Sequence, residues 1–173
     1  EFYLVNGDNN SKLPISADVI QVPVKNIAAL SISFIGAYQT LNSLNVIKAA
    51  SSKQFIYNKK IIQGIENKSI IQVDYESGLS AESALSAEIE LILFNGFGQP
   101  YPNEEKLKKL GLQCMSIYDW EETSPLGKAE WIKVFGALVG KSDVANEYFN
   151  QIEKEYFEIK RKSKMIHSKL KVI

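Results

Sequence analysis

Five short apolar runs recur along the chain, at Ile27–Leu30, Val46–Ala50, Ile70–Val73, Ile89–Phe94 and Leu112–Tyr118. The stretches between them carry helix punctuation. Asn103, after Pro102, is placed to cap a helix with Glu104 and Glu105 in its first turn, Lys108 and Lys109 in its last, and Gly111 closing it. Ser124-Pro125 offers a second cap with proline at the first helical position, and Gly140 marks that helix's end. Ile132, Phe135, Leu138 and Val139 fall on one of its faces. Strands alternating with helices in this way predict an α/β fold, a parallel sheet with helices on both faces.

The two ends depart from this rhythm. Residues 1–26 read as extended structure ("FYLV", "NGDNNSK", "DVIQVPV"), and Asn6-Gly7 is a hairpin signal. Asp8, Asn9 and Asn10 lack the glycine and terminal glutamate of a calcium loop, so a plain turn is expected. From Ser142 to about Ile166 the chain reads as one long helix without a breaker. Val144, Tyr148, Phe149, Ile152, Tyr156 and Ile159 recur there at three- and four-residue steps. "KLKVI" then reads as the opening of a new strand. The expected organisation is an extended segment over 1–26, an α/β lobe over 27–141, a long helix over 142–168, and the start of a second unit at 169–173.

Composition narrows the function classes. The 173 residues hold 20 Lys plus Arg against 20 Asp plus Glu, so no overall basic field invites nucleic acid. The basic run Lys160-Arg161-Lys162-Ser163-Lys164 follows a Glu-rich stretch and suits a helix C-terminus. No apolar run approaches the roughly 20 residues that span a bilayer. No signal peptide is visible, and a start at Glu1 without Met leads us to expect a processed or trimmed N-terminus. A single Cys114, inside apolar "LQCMSIY", is expected to be buried rather than reactive. One histidine, His167, leaves no Ser-His-Asp or Cys-His constellation and no zinc or facial-triad set. We therefore expect no catalytic residue, no metal ligand and no cofactor.

The "FNGFGQPYP" segment contains only Gly-x-Gly. It lacks the lysine of a Walker loop and the third glycine of a dinucleotide fingerprint, and Pro100 and Pro102 follow instead. Its place at the carboxyl end of a predicted parallel strand is where open α/β sheets bind ligands. From this loop alone, a ligand lip and an ordinary strand-to-helix connection weigh equally. The other predicted strand ends tip the balance toward binding, because each carries aromatic or hydroxyl groups suited to a bulky ligand. The expected ligand-binding set is Ser31, Ser33, Phe34, Tyr57, Tyr75, Phe97, Tyr101, Tyr118 and Trp120.

The order of segments resembles the N-terminal lobe of the periplasmic substrate-binding proteins that serve ABC importers of iron-siderophore complexes, haem and cobalamin. The likeness runs from "VIQVPVKNIAALS" to the end. Its carriers are "LSISF" after the first strand of the lobe, "GLSAESALSAEIELIL" in place of the family's G-x-N-x-E pattern, and "KLKKLGLQCMSIYDWEETSPLGKAEWIKVFGALVGK". The most specific piece is Glu122 to Lys133, matching E-x-(S/T)-P-L-G-(R/K)-A-E-W-(I/L)-K. Ile89-Glu90 stands where the family has Pro-Asp, and the glycine pair flanking the second strand is absent.

The resemblance implies one Rossmann-like lobe of a two-lobed binding protein, followed by a rigid backbone helix. It implies a metal-chelate ligand, most simply a ferric siderophore, with a corrinoid or haem as alternative, held between lobes without chemistry. Glu82 matches the glutamate that docks onto arginines of the importer's membrane permease; Glu130 is a weaker candidate for such a role. The implied location is the periplasm or a lipid anchor outside the cytoplasmic membrane, with a monomeric protein and no nucleic-acid partner. A reading from another class is a flavodoxin-like cofactor-binding enzyme domain.

Overall fold

The computed structural model describes residues 1–7, 14, 17–74 and 76–164. Two parallel strands, β1 (Phe2–Asn6) and β2 (Asp18–Val22), form a ribbon. The main sheet comprises β3 (Ile27–Ala29), β4 (Ile47–Ala50), β5 (Ile71–Gln72), β6 (Leu91–Asn95) and β7 (Gln113–Ile117), ordered β5-β4-β3-β6-β7 and parallel throughout. The five apolar runs are thus the five strands. Helices α1 (Ile32–Thr40), α2 (Lys59–Glu66), α3 (Ala81–Ser86), α4 (Glu104–Lys109), α5 (Pro125–Glu130), α6 (Ile132–Leu138) and α7 (Ser142–Lys164) surround it.

The strands read as continuous apolar runs because both of their faces are covered. Their two-residue period separates two cores. Ile27, Ala29, Leu91 and Leu93 point to one face and pack with Phe34, Tyr38, Phe135 and Phe149 from α1, α6 and α7. Ala28, Ala49, Ile92 and Cys114 point to the other and pack with Ala84 and Leu107 from α3 and α4. Gly136 lets α6 and α7 approach closely, since a Cβ there would lie 2.5 Å from that of Ala145. Cys114 is buried, and burial pushes its thiol up to about 12.

Three local expectations are corrected. Asn6-Gly7 does not begin a hairpin: β1 pairs with β2 in parallel, Phe2 opposite Asp18, although Gly7 has the positive φ of a turn. Eleven residues separate the two strands, far more than the two of a tight hairpin. The helix expected from Ser124 to Gly140 is two. Ser124 caps α5 through Gly127 N–H at 2.9 Å, but at Trp131 the ladder tightens: its carbonyl accepts from Val134 at 3.0 Å and Phe135 at 3.3 Å. Asn103 occupies the cap position of α4 in the left-handed region at φ 60°, with no side-chain cap bond. The Glu104 carboxylate reaches back instead, accepting the Tyr101 N–H at 3.2 Å.

Helix α7 runs 23 residues, and only Ala145 and Phe149 on it are buried. Val144, Tyr148 and Ile159 of the apolar stripe are exposed. The strand expected at "KLKVI" lies outside the described residues, as does Tyr75. Among the described residues, no helix is long and apolar enough to cross a membrane.

Candidate ligand cleft

The chain winds outward from β3 to β4 and β5, then returns to β3's other side for β6 and β7. Loops leaving β3 and β6 therefore diverge, and a crevice opens between their carboxyl ends. It is an open cleft of about 750 Å³. Ser31 and Ile32 come from the β3 side, Ser52 and Phe55 from the loop after β4, Asp74 and Glu76 from that after β5, Asn95 from the end of β6, and Phe97 and Tyr101 from the loop after it. Asn95 Nδ2 donates to Ser31 Oγ at 3.4 Å across the crevice, and Ser31 Oγ lies 3.1 Å from Ser33 Oγ. This hydroxyl-amide chain spans the point where the sheet changes direction.

Beside the cleft stands an aromatic platform. The Phe97 and Trp120 rings lie 5.3 Å apart at 37°, and both are about half exposed, at 52% and 48%. Trp120 Nε1 donates to the Gly96 carbonyl at 3.1 Å, which fixes the indole. Tyr118 lies flat against Gly96, where a Cβ would overlap its ring. A glycine is required here by close approach, and the "NGFG" lip thereby carries two rings held in place but open to solvent.

Tyr101 serves a different purpose. Its ring is buried against Phe94 at 5.1 Å, and its hydroxyl accepts the Leu79 N–H at 2.8 Å. Burial pushes the phenol up to about 12. It ties the lip to the segment entering α3 and presents little surface to the cleft.

The remaining sequence candidates separate. Phe34 is corrected: it is fully buried on α1, 5.4 Å from the Phe135 ring, and faces the core rather than the cleft. Tyr57 is 89% exposed and does not line the cleft. Tyr75 lies outside the described residues. Ser31, Ser33, Phe97, Tyr118 and Trp120 gather at the carboxyl edges of β3, β6 and β7. Asn95, Phe55, Asp74 and Glu76 also wall the cleft, outside the expected set; Asn95 was visible as the polar end of an apolar run. A second groove, about 900 Å³, lies between α1, β4 and α2, and holds Lys48, Lys59 and Lys60 but none of the candidates.

Glu82 sits exposed in the first turn of α3, which Ser80 caps by accepting the Ser83 N–H at 3.1 Å. Among the described residues it forms no ion pair, whereas Glu130 is held by Lys133 at 2.8 Å. Among the described residues no group of His, Cys, Asp and Glu is placed to hold a metal ion.

The fold is that of one lobe of the TroA-like periplasmic binding proteins. A possible iron-binding (periplasmic solute-binding) protein from Staphylococcus epidermidis superposes with a TM-score of 0.61 at 18% identity, covering 79% of this chain and 50% of the other. A periplasmic heme-binding protein from Pseudomonas aeruginosa gives 0.57 at 14% identity, over 75% and 43%. The vitamin B12-binding protein BtuF of Vibrio cholerae gives 0.54 at 15%, over 81% and 51%. In sequence, the chain is similar to two uncharacterized lipoproteins of Methanocaldococcus jannaschii, at 25% identity over 95% of this chain and 26% over 89%. It spans only 42% and 41% of the length of these relatives. No family model matches the chain.

Proposed function

We propose that this chain is the N-terminal lobe and linking helix of the substrate-binding component of an ABC importer, and that it holds an iron chelate of siderophore type. The observation that carries the reading is the cleft at the change of sheet direction, with the Phe97–Trp120 platform half exposed at its mouth. Such a surface offers flat apolar contact and a few hydroxyl and amide groups, which is what a bulky chelate needs. Ser31, Ser33, Asn95, Phe97, Tyr118 and Trp120 are the contacts proposed from this lobe. The protein does no chemistry on its ligand.

A single lobe encloses one side of a ligand, and a second lobe beyond α7 supplies the other in this reading. The 23-residue α7 is a stiff strut, so lobe closure on binding is small. Glu82 docks onto arginines of the membrane permease. An exposed carboxylate in a helix's first turn is suited to bidentate arginine contact. The protein works outside the cytoplasmic membrane, as a lipoprotein or a periplasmic protein, in keeping with the lipoprotein relatives. A corrinoid or haem is the alternative ligand, favoured by the likeness to heme- and vitamin B12-binding proteins.

The test is fluorescence titration of the full-length protein with ferric siderophores, haem and cobalamin, in a background where every tryptophan except Trp120 is replaced by Phe. Quenching by one class identifies the ligand; silence toward all three removes the reading. Glu82→Lys should leave ligand affinity unchanged and abolish uptake. Loss of binding in that variant would put Glu82 in the pocket and end the docking role.

A further inference from the structure

The charge of the cleft separates the ligand classes that the fold admits. Asp74 and Glu76 lie on its wall, and among the described residues that line it none is Lys, Arg or His. Asp74 is fixed there, because its Oδ1 accepts the N–H groups of Glu76 at 3.0 Å and Ser77 at 3.2 Å. On the platform side, Trp120 sits in a 3-10 turn between Asp119 and Glu121. Lys53, in the turn after β4, is engaged by Glu66 at 3.0 Å and does not line the cleft. With 20 basic and 20 acidic residues in the whole chain, this negative character belongs to the edge and not to the bulk composition.

We propose that this lobe's wall of the cleft favours a neutral or cationic chelate over polyanionic ones, so that hydroxamate-type ferric complexes or corrinoids suit it and tris-catecholate complexes do not. The inference rests on the binding-protein reading above. A ligand entering the crevice loses water and has its charges brought close to the wall carboxylates. A polyanion would then meet like charges with no counter-charge from this lobe, which is a built-in element of rejection. A cation gains both the carboxylates and the faces of Phe97 and Trp120, whose negative ring faces attract positive charge.

The experiment uses the full-length protein and three probes: monocationic ferrioxamine B, neutral cyanocobalamin and trianionic ferric enterobactin. Each is titrated against the wild type and against the double variant Asp74→Asn, Glu76→Gln, so that every probe is compared with itself and shape differences cancel. Asn at 74 retains the oxygen that accepts the two backbone N–H groups, and thermal unfolding checks that the variant folds. The expected result is binding of the cationic or the neutral probe, and affinity for the trianion that is at least about tenfold weaker. In the variant, affinity for the cation should fall about tenfold at low salt and that for the trianion should rise, with a smaller change at high salt. Trianion binding as tight as that of the other probes overturns the charge selection and leaves the transport reading standing. Equal affinities of wild type and variant for each charged probe overturn it as well. Binding of no probe overturns both.

Discussion

The loops after β4 and after β6 both bring aromatic residues to the carboxyl edge of the sheet, and the two regions treat them differently. Phe55 and Tyr57 follow β4 at 57% and 89% exposure, with no ring partner among the described residues. On the β6–β7 side each ring is held: Phe97 by Trp120, Trp120 by the Gly96 carbonyl, Tyr118 by the face of Gly96, and Tyr101 by Leu79. An aromatic at a strand end becomes a usable binding surface when its freedom is removed before the ligand arrives, because that ordering no longer opposes binding. Sequence alone scores the two loops alike; packing separates them.

The contrast can be broken most severely at Gly96. Gly96→Val drives a side chain into Tyr118, and overpacking of this kind costs about 3 kcal/mol. Urea unfolding should register that loss, and titration should find ligand affinity gone with it. Tyr101→Phe comes next. It leaves the Leu79 N–H buried without its acceptor, at a cost of about 2 kcal/mol.

The same tyrosine gives a pH signature. Burial raises its folded pKa from 10.0 to about 12, so its contribution is complete below pH 10 and is lost as pH rises toward 12, where the unfolded chain releases its proton first. Stability measured across that window should fall less in Tyr101→Phe than in the wild type. Trp120→Phe keeps a ring but removes the donor to Gly96, for about 1 kcal/mol of stability and a weaker grip on ligand. Tyr57→Ala should change neither stability, within about 0.5 kcal/mol, nor affinity. A large loss of affinity there would extend the site beyond Phe55 to Tyr57.

Much of the lobe was legible because buried parallel strands announce themselves as unbroken apolar runs, and Ile27, Leu91 and Ile117 all sit at zero exposure within such runs. Direction was not legible. Nothing local to "FYLV" or "DVIQV" distinguishes a hairpin from a parallel ribbon, and the composition of Asn6-Gly7 pointed the wrong way. Phe34 failed through helix phase. Helix α1 begins at Ile32, so each residue turns about 100° from the last, and Phe34 rotates into the core while Ser31 and Ser33 remain at the edge. The contact of Ser31 with Asn95 joins residues 64 apart, and only the order of strands in the sheet could bring them together.

That order also has a kinetic reading. Strands β3, β4 and β5 are neighbours in sequence and in space, so the half of the sheet spanning residues 27–72 can assemble through short loop closures. Pairing of β3 with β6 has to wait for Ala29 to find Leu93, and such non-local parallel contacts form slowly. The crevice lies on this seam, so one wall exists before the other. In refolding of a Trp131→Phe variant, helical circular dichroism should therefore recover ahead of the Trp120 fluorescence that reports the finished cleft. Simultaneous recovery would mean that the two halves of the sheet form together.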